Sequence, residues 1–178
     1  MLLIAALAGC AIVALTLGVA TMAALAPGNF RLERSVVTSA PRDAVWPLIA
    51  DLRAWMRWSP WQSSEDKISR TYNGPSSGLG AREQWSGSDR AGEGIAEITL
   101  ADPDRIVIHV RTMRPQARHV TLEFRLAIES GGTRITWIMA GEAPYAARLA
   151  GIVFGLARKA ARDFDVGLAR LKAISEDE

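Results

Sequence analysis

The chain is short of the residues that build disulfides and metal centres. Its single cysteine, Cys10, excludes an internal disulfide and any multi-cysteine metal site. The two histidines, His109 and His119, do not occur in an HExxH or comparable spacing. A nucleophile elbow, a phosphate-binding loop and a dinucleotide fingerprint are also missing. The sequence therefore predicts no metal and no cofactor, and no motif assigns an enzyme class.

An excess of charge of one sign is missing as well. The 21 basic and 19 acidic side chains leave a net charge of +2, and no basic run of five residues occurs. Nucleic-acid-binding domains carry a basic patch or stripe, so we expect no nucleic-acid partner. What is present is 49% apolar residues in a chain of 178, which is enough for one domain with a substantial core.

The first 26 residues contain no charged side chain. As a helix they would be roughly 39 Å long, enough to cross a hydrocarbon core of about 30 Å. Residues 1–26 are therefore predicted to be a transmembrane anchor that ends at Pro27-Gly28. Two alternatives stay open. Ala24-Leu25-Ala26 resembles a signal-peptidase site, and Leu7-Ala8-Gly9-Cys10 matches a lipobox, which would lipidate Cys10.

Flanking charge predicts the orientation of this anchor. Arg31, Arg34 and Arg42 lie within about 16 residues of the end of the apolar stretch, whereas only the α-amino group precedes it. The positive-inside rule then predicts a single-pass protein whose soluble domain is cytoplasmic. Signal cleavage or lipidation would instead place the domain in the periplasm or another extracytoplasmic compartment.

The beginning of the soluble part predicts one strand and two short helices. Residues 29–38 are rich in β-branched side chains and predict a strand. Pro41 then suits the first turn of a helix, in which Pro47 predicts a kink or an early end. Asp51 is a suitable cap for a second short helix through Met56.

From residue 67 onward the hydrophobic period changes to two. Six further strands joined by short turns predict an antiparallel meander. The last five are expected at residues 81–86, 94–100, 105–113, 119–128 and 133–140. An apolar stripe of period 3.6 then predicts one long helix over residues 144–173.

This order of elements predicts an α+β fold in which a curved antiparallel sheet of about seven strands surrounds a long C-terminal helix. The predicted divisions are the anchor (residues 1–26), one ligand-binding domain (residues 29–174) and an acidic tail (residues 175–178). A curved sheet wrapped around a helix does not close at both ends, so we expect a cavity lined by apolar side chains between the two.

Several stretches, in this order and spacing, resemble the START-like, or SRPBCC, superfamily, whose fold is called the helix grip. The resemblance is to its polyketide cyclase/dehydrase-like branch and, within it, to membrane-anchored bacterial members. It covers residues 29–174. The superfamily includes enzymes, carriers and stress-response proteins, so the resemblance implies a fold and not one activity. The stretches that carry it are Ala40-Pro41 with Val45-Trp46, Asp51-Leu52 with Trp55, Trp58-Ser59-Pro60-Trp61, Tyr72 with Gly74, Gly80-Ala81, Trp85-Ser86-Gly87, Gly92-x-Gly94, Gly132-Thr133 with Trp137, and Gly167-Leu168 with Leu171-Lys172.

Three of the six tryptophans lie in the stretch AWMRWSPWQ, residues 54–62. Trp55 is expected to fill the junction between the short helices and the sheet. Trp58 and Trp61 either pack in the same way or form a lid over the cavity. A further alternative puts exposed tryptophan at the level of lipid headgroups, where Arg57 would suit anionic lipid.

The inward faces of the strands supply the remaining candidates. Glu83 shares a face with Trp85 and is the first candidate for an acid or base in an apolar cavity, followed by Glu97 and His109. His109 points to solvent if Ile108 and its apolar neighbours pack on the helix, and into the cavity if they do not. The predicted ligand-binding residues are Trp58, Trp61, Glu83, Trp85, Trp137, Met139 and Phe154.

The predicted function is binding, and possibly transfer, of a hydrophobic small molecule or lipid by a membrane-held domain. Two alternatives remain. One is a cyclase or dehydratase acting on a polyketide-like substrate. The other is a structural or interaction domain whose cavity is filled by its own side chains. The expected partners are the ligand and the membrane, and the sequence leaves the oligomeric state open.

Overall fold

A computed structural model of the chain describes residues 1–61, 68–88, 92–114 and 116–177. Within these ranges the side chains of residues 2–6, 8, 152–154 and 156 are not described. Phe154, one of the predicted ligand-binding residues, is among them, so its role lies outside the described residues. The elements are α1 (Leu2–Leu25), β1 (Asn29–Thr38), α2 (Arg42–Ala50), α3 (Trp55–Trp58), β2 (Ser69–Asn73), β3 (Arg82–Ser86), β4 (Glu93–Asp102), β5 (Arg105–Arg114), β6 (Arg118–Glu129), β7 (Gly132–Glu142), α4 (Tyr145–Phe154) and α5 (Leu156–Asp177).

The seven strands form one antiparallel sheet in the order β1-β7-β6-β5-β4-β3-β2. The six consecutive strands make the predicted meander, and β1 then pairs with β7, for example Leu32 with Met139. This arrangement confirms the helix-grip fold. It also means that the chain leaves α1 at the edge strand of the sheet, beside the end of β7.

Two ends of the sheet can be distinguished. One end holds the first residues of β1, β2, β4 and β6 and the last residues of β3, β5 and β7. We call it the α1 end, because α1 joins β1 there. The other is called the opposite end. Helix α5 runs from the α1 end to the opposite end, since Asp165 contacts Arg34 and Ser175 contacts Thr38 on β1.

The period-two pattern divides the sheet into an inner face, covered by α2, α3 and α5, and an outer face. Ile106 and Ile108 are fully buried on the inner face. Their neighbours along β5, such as Val107 and His109, point to the outer face and are more exposed. The aliphatic residues of β5 therefore pack on the inside, and His109 points to solvent.

The C-terminal helix differs from the prediction in two ways. It is broken at Gly155, which adopts a left-handed conformation (φ 61°) that non-glycine residues rarely adopt, so α4 and α5 are separate helices. It also extends to Asp177, and Ser175 is only 3% exposed. Residues 175–177 therefore belong to the packed helix and not to a separate tail. In the first part of the domain, Pro47 lies within α2. The helix ends three residues later at Ala50, which agrees with the predicted early end.

Helix α1 is apolar on all sides. Large side chains along it are exposed, among them Leu7, Leu15 and Leu25 at 63–81%. The predicted transmembrane anchor is not confirmed, because within the described residues no helix meets the length and apolarity needed to cross a membrane. The last turns of α1 pack on α4. Tyr145 Oη donates to the Ala20 carbonyl (3.4 Å), and the Arg148 guanidinium donates to the Ala26 carbonyl.

Candidate functional site

A cavity of about 400 Å³ lies between the inner face of the sheet and the segment that follows α3. Trp55, Trp61 and Trp85 line it together with aliphatic residues of the central strands. Its position follows from helix placement, because α5 packs on β1 and β7 whereas the cavity extends to β2 and β3. The residues that line it on the sheet, such as Thr112 on β5 and Met139 on β7, lie toward the α1 end.

The part of the inner face beside the cavity is filled with aromatic rings. Trp137 is stacked between Phe124 and Phe164, with ring centroids 5.1 and 4.0 Å away, and Trp58 meets it edge-on at 5.5 Å. Trp58 and Trp137 are both fully buried, so the structure places these two predicted ligand-binding residues in the core. They form the wall behind the cavity and do not line it.

The tryptophans of the 54–62 stretch occupy different environments. Trp55 and Trp58 are buried, and their indole N–H groups donate to the carbonyls of Ile49 and Leu48 at 2.9 Å. These bonds hold α3 against the end of α2 and satisfy the polar atom of each ring. Trp61 packs on Trp137 and Phe164 but is 43% exposed, so it stands at the mouth of the cavity.

One wall of the cavity is polar. The Glu83 carboxylate is 3% exposed and accepts a hydrogen bond from the Arg70 guanidinium on the neighbouring strand. Buried charges persist when they are paired, so this ion pair puts a polar surface into an otherwise apolar cavity. Tyr72 lies opposite Glu83 in the β2–β3 register. Burial, and then the negative charge of Glu83, raise the pKa of the Tyr72 hydroxyl.

Gly94 sets the position of Trp85. The two residues are paired in the β3–β4 register, and the indole lies directly over Gly94. A Cβ atom at residue 94 would come within 2.3 Å of the Trp85 ring and 2.8 Å of the Arg111 carbonyl oxygen. Glycine is therefore required here for the indole to lie flat along the cavity wall.

The other two acid/base candidates lie elsewhere. Glu97 and His109 face each other across β4 and β5 on the outer face, where Glu97 pairs with Arg82 at 2.8 Å. They line an open groove of about 1060 Å³ whose walls are mostly polar and charged. An apolar ligand gains little from such a surface, so the smaller inner cavity is the better candidate site although the groove is larger.

Of the predicted ligand-binding residues, the structure brings Trp61, Glu83, Trp85 and Met139 together around the cavity. Sequence reasoning missed Arg70 as a cavity residue. The signal was present, because Arg70 alternates with Ile68 and Tyr72 along the chain, and Ile68 and Arg70 both line the cavity.

A curved antiparallel sheet around a C-terminal helix, with an apolar cavity between them, defines the class of helix-grip domains. The chain belongs to the family described as "Polyketide cyclase / dehydrase and lipid transport", whose model matches residues 29–176. No curated protein matches the sequence significantly.

Solved structures share the fold at low sequence identity. MLL2253 from Mesorhizobium loti is 13% identical over 83% of this chain and 98% of its own, with a TM-score of 0.61. CV1439 from Chromobacterium violaceum is 18% identical over 85% and 100%, with a TM-score of 0.57. DynU16, described as a putative protein in the dynemicin biosynthetic locus, is 17% identical over 83% and 47%, with a TM-score of 0.54. At these identities the likeness establishes the fold alone.

Proposed function

We propose that the domain binds a hydrophobic small molecule or lipid in the inner cavity. The observation that carries this proposal is a cavity of about 400 Å³ with aromatic and aliphatic walls beside a densely packed core. The volume is within the range of small-molecule sites, and apolar burial supplies most of the affinity in such sites.

The polar wall defines the chemistry of the ligand further. A ligand that is apolar throughout would leave the Arg70–Glu83 pair facing hydrocarbon, which costs free energy. An amphiphile avoids this cost, because a hydroxyl or carbonyl at one end can hydrogen-bond to the pair while its apolar body contacts Trp61, Trp85 and Met139. Glu83 and Arg70 would thus orient the ligand.

We also propose that α1 holds the domain at a membrane. The support is the exposure of large apolar side chains around α1, since a helix that is apolar on all sides is stable only in apolar surroundings. Its uncharged sequence and the arginines that follow it favour a single-pass topology with the domain on the cytoplasmic side. Alkaline carbonate extraction of membranes containing the full chain would test this, and release of the uncleaved protein into the soluble fraction would contradict it.

The binding proposal is tested by native mass spectrometry and lipid extraction of the full-length protein, gently released from its membrane. A stoichiometric apolar or amphiphilic molecule is expected. Trp85→Ala and Met139→Ala remove apolar contacts from the cavity wall and should lower retention of the bound molecule. Leu79→Ala, at an exposed site away from the cavity, should not. A chain that is consistently empty and that binds no added fatty acid or sterol would overturn the proposal and favour a purely structural domain.

A second candidate is a cyclase or dehydratase acting on a polyketide-like substrate, and the observation that favours it is the buried Glu83 carboxylate in the cavity wall. In this reaction class a proton would move between the substrate and Glu83. A Glu83→Gln variant that loses turnover while keeping ligand affinity would support the enzyme. Equal loss of affinity and turnover would favour the orienting role.

A further inference from the structure

Charge is distributed unevenly between the two ends of the sheet. The β5–β6 hairpin at the α1 end, residues 111–118, contains three arginines and no carboxylate. The first turns of α5, residues 156–163, add three cations and one carboxylate at the same end. These six cations are Arg111, Arg114, Arg118, Arg158, Lys159 and Arg162.

Some of these six cations are paired with carboxylates. Arg114 forms two hydrogen bonds with Glu93 at 2.6 and 2.9 Å, and Lys159 lies 3.5 Å from Asp163. Arg118 donates to the neutral Gln116 side chain, so its charge remains. Glu142, at the end of β7, is a further carboxylate at this end. Among the described residues, the α1 end therefore keeps a net positive charge.

The opposite end has the reverse balance. Its turns and the last turn of α5, residues 39–43, 102–105, 129–134 and 172–177, contain four cations and six carboxylates. The six carboxylates are Asp43, Asp102, Asp104, Glu129, Glu176 and Asp177. A dipolar distribution of this kind orients a domain in the field of a charged surface.

Exposed apolar side chains occur at both ends of the sheet, and at the positive end they lie among cations. Met113, near the end of β5, is 38% exposed, and Tyr145, at the start of α4, is 43% exposed, whereas Ile128 at the opposite end is 72% exposed beside Glu129. On the inner side of the same hairpin, Thr112 and Val120 line the ligand cavity. The hairpin therefore borders the cavity on its inner side and carries arginines of the cationic surface. Helix α1 leaves the sheet at the same end.

We propose that the β5–β6 hairpin docks on an anionic lipid bilayer, with its arginines on the headgroups and Met113 at the boundary with the acyl chains. Docking would turn the cavity mouth toward the lipid and the acidic opposite end toward water. The inference rests on the proposed function, because it names the membrane as the surface from which the cavity takes its ligand.

The test uses the full chain with Cys10 replaced by alanine and one environment-sensitive fluorophore. The label is attached through Met113→Cys on the hairpin or, as the control, through Ile128→Cys at the opposite end, where residue 128 is 72% exposed. Both proteins are reconstituted into vesicles of phosphatidylcholine alone or mixed with phosphatidylserine. A label at residue 113 should shift to the blue and be quenched by lipid-borne quencher only when phosphatidylserine is present.

Charge variants separate docking from simple tethering by α1. Replacing Arg111, Arg114 and Arg118 by glutamine should raise the phosphatidylserine fraction needed for half-maximal docking and weaken docking on the order of 10- to 100-fold. The matched control, Arg53→Gln with Arg134→Gln and Lys172→Gln, removes the same charge elsewhere and should have little effect. Raising salt from about 0.05 M to about 0.5 M should weaken docking of the unmodified chain, since it screens exposed charges.

A response at residue 113 that ignores lipid charge, or an equal response at residue 128, would overturn the proposal. Bound ligand is measured by native mass spectrometry on the same samples. If the hairpin docks but the cavity is empty, docking stands and the binding function fails. If ligand is bound but residue 113 does not respond, the binding function stands and docking fails.

Discussion

The inner face of one sheet contains a filled half and a hollow half. In the filled half, Phe124 and Trp137 of the central strands pack ring against ring with Trp58 of α3 and Phe164 of α5. In the hollow half, toward the α1 end, Trp61, Trp85 and Met139 surround about 400 Å³ of space. Residue type does not separate the halves, because tryptophan occurs in both. The halves differ in what lies over them. Among the described residues, α2 and α5 pack on the filled half, whereas Trp55, Ser59 and Trp61 border the cavity of the other.

The largest expected effect comes from breaking the filled half. Trp137→Ala should lower the free energy of unfolding by about 3–5 kcal/mol, because it leaves a large void between Phe124 and Phe164. Trp85→Ala, the matched change in the hollow half, should cost much less because Trp85 borders existing space, and should mainly reduce ligand retention. Denaturant unfolding of both variants measures the contrast. Equal losses of stability would mean that the two halves are packed alike.

The next largest loss of stability is expected from breaking the Arg70–Glu83 ion pair, which lies in the hollow half. Arg70→Met should lower the free energy of unfolding by roughly 3 kcal/mol, because it removes the Arg70 guanidinium from beside the buried Glu83 carboxylate. Adding Glu83→Leu should restore most of that loss, since two apolar side chains suit the interior. Thermal unfolding of the single and double variants checks this. A double variant as unstable as the single one would show that the two charges do not compensate each other.

A smaller effect is expected from filling the hollow half. In Gly94→Val the new side chain would collide with the Trp85 indole and push it into the cavity, with a loss of about 1–3 kcal/mol. Ligand retention should fall more than stability suggests, because the displaced ring occupies the ligand space. Gly28→Val, at a glycine with open space around it, is the control. Retention equal to that of the unmodified protein would show that Trp85 does not border the ligand.

The smallest effect is expected where α5 ends beyond the filled half. Glu176 accepts hydrogen bonds from the backbone N–H of Ser39 (2.9 Å) and from the Ser39 and Thr38 hydroxyls. The Ser39 backbone bond is the main cause of the lowered pKa of Glu176. A carboxyl group with a lower pKa in the folded state stabilises above its unfolded pKa, and this contribution is lost as the pH falls through the folded pKa.

Glu176→Gln should therefore reduce stability modestly at neutral pH and make no difference below the folded pKa of Glu176. Unfolding curves of both proteins at several pH values between about 2 and 7 measure this. The more distant Glu142→Gln serves as the control for a general change in charge. A stability difference between Glu176→Gln and the unmodified chain that does not depend on pH would contradict the assigned role of this carboxylate.

Much of the fold could be predicted from the sequence because the signals are local. β-Branched residues predicted β1, and alternation with period two predicted the six strands that follow residue 67. The second short helix, predicted through Met56, ends at Trp58. The break at Gly155 was missed, because the apolar stripe continues on both sides of it. The membrane anchor and the cytoplasmic location remain predictions from composition.

The candidate site was predicted only in part. Alternation assigned Trp85, Glu83, Trp137 and Met139 to inward faces, but it cannot distinguish an inward residue that lines a cavity from one that is covered by a helix. Arg70 was missed because a charged residue on a strand is usually solvated, and here its partner Glu83 made burial possible.

The sequence by itself determined which residues face inward, since side-chain direction in a strand follows from the backbone of that strand alone. Only the tertiary structure decided which inward residues became core and which became cavity. That choice depends on where α2, α3 and α5 cross the sheet, and these crossings are set by contacts between residues far apart in the chain, such as Gly167 on Pro60 and Trp137. The filled and hollow halves are thus a property of helix placement over a largely apolar face.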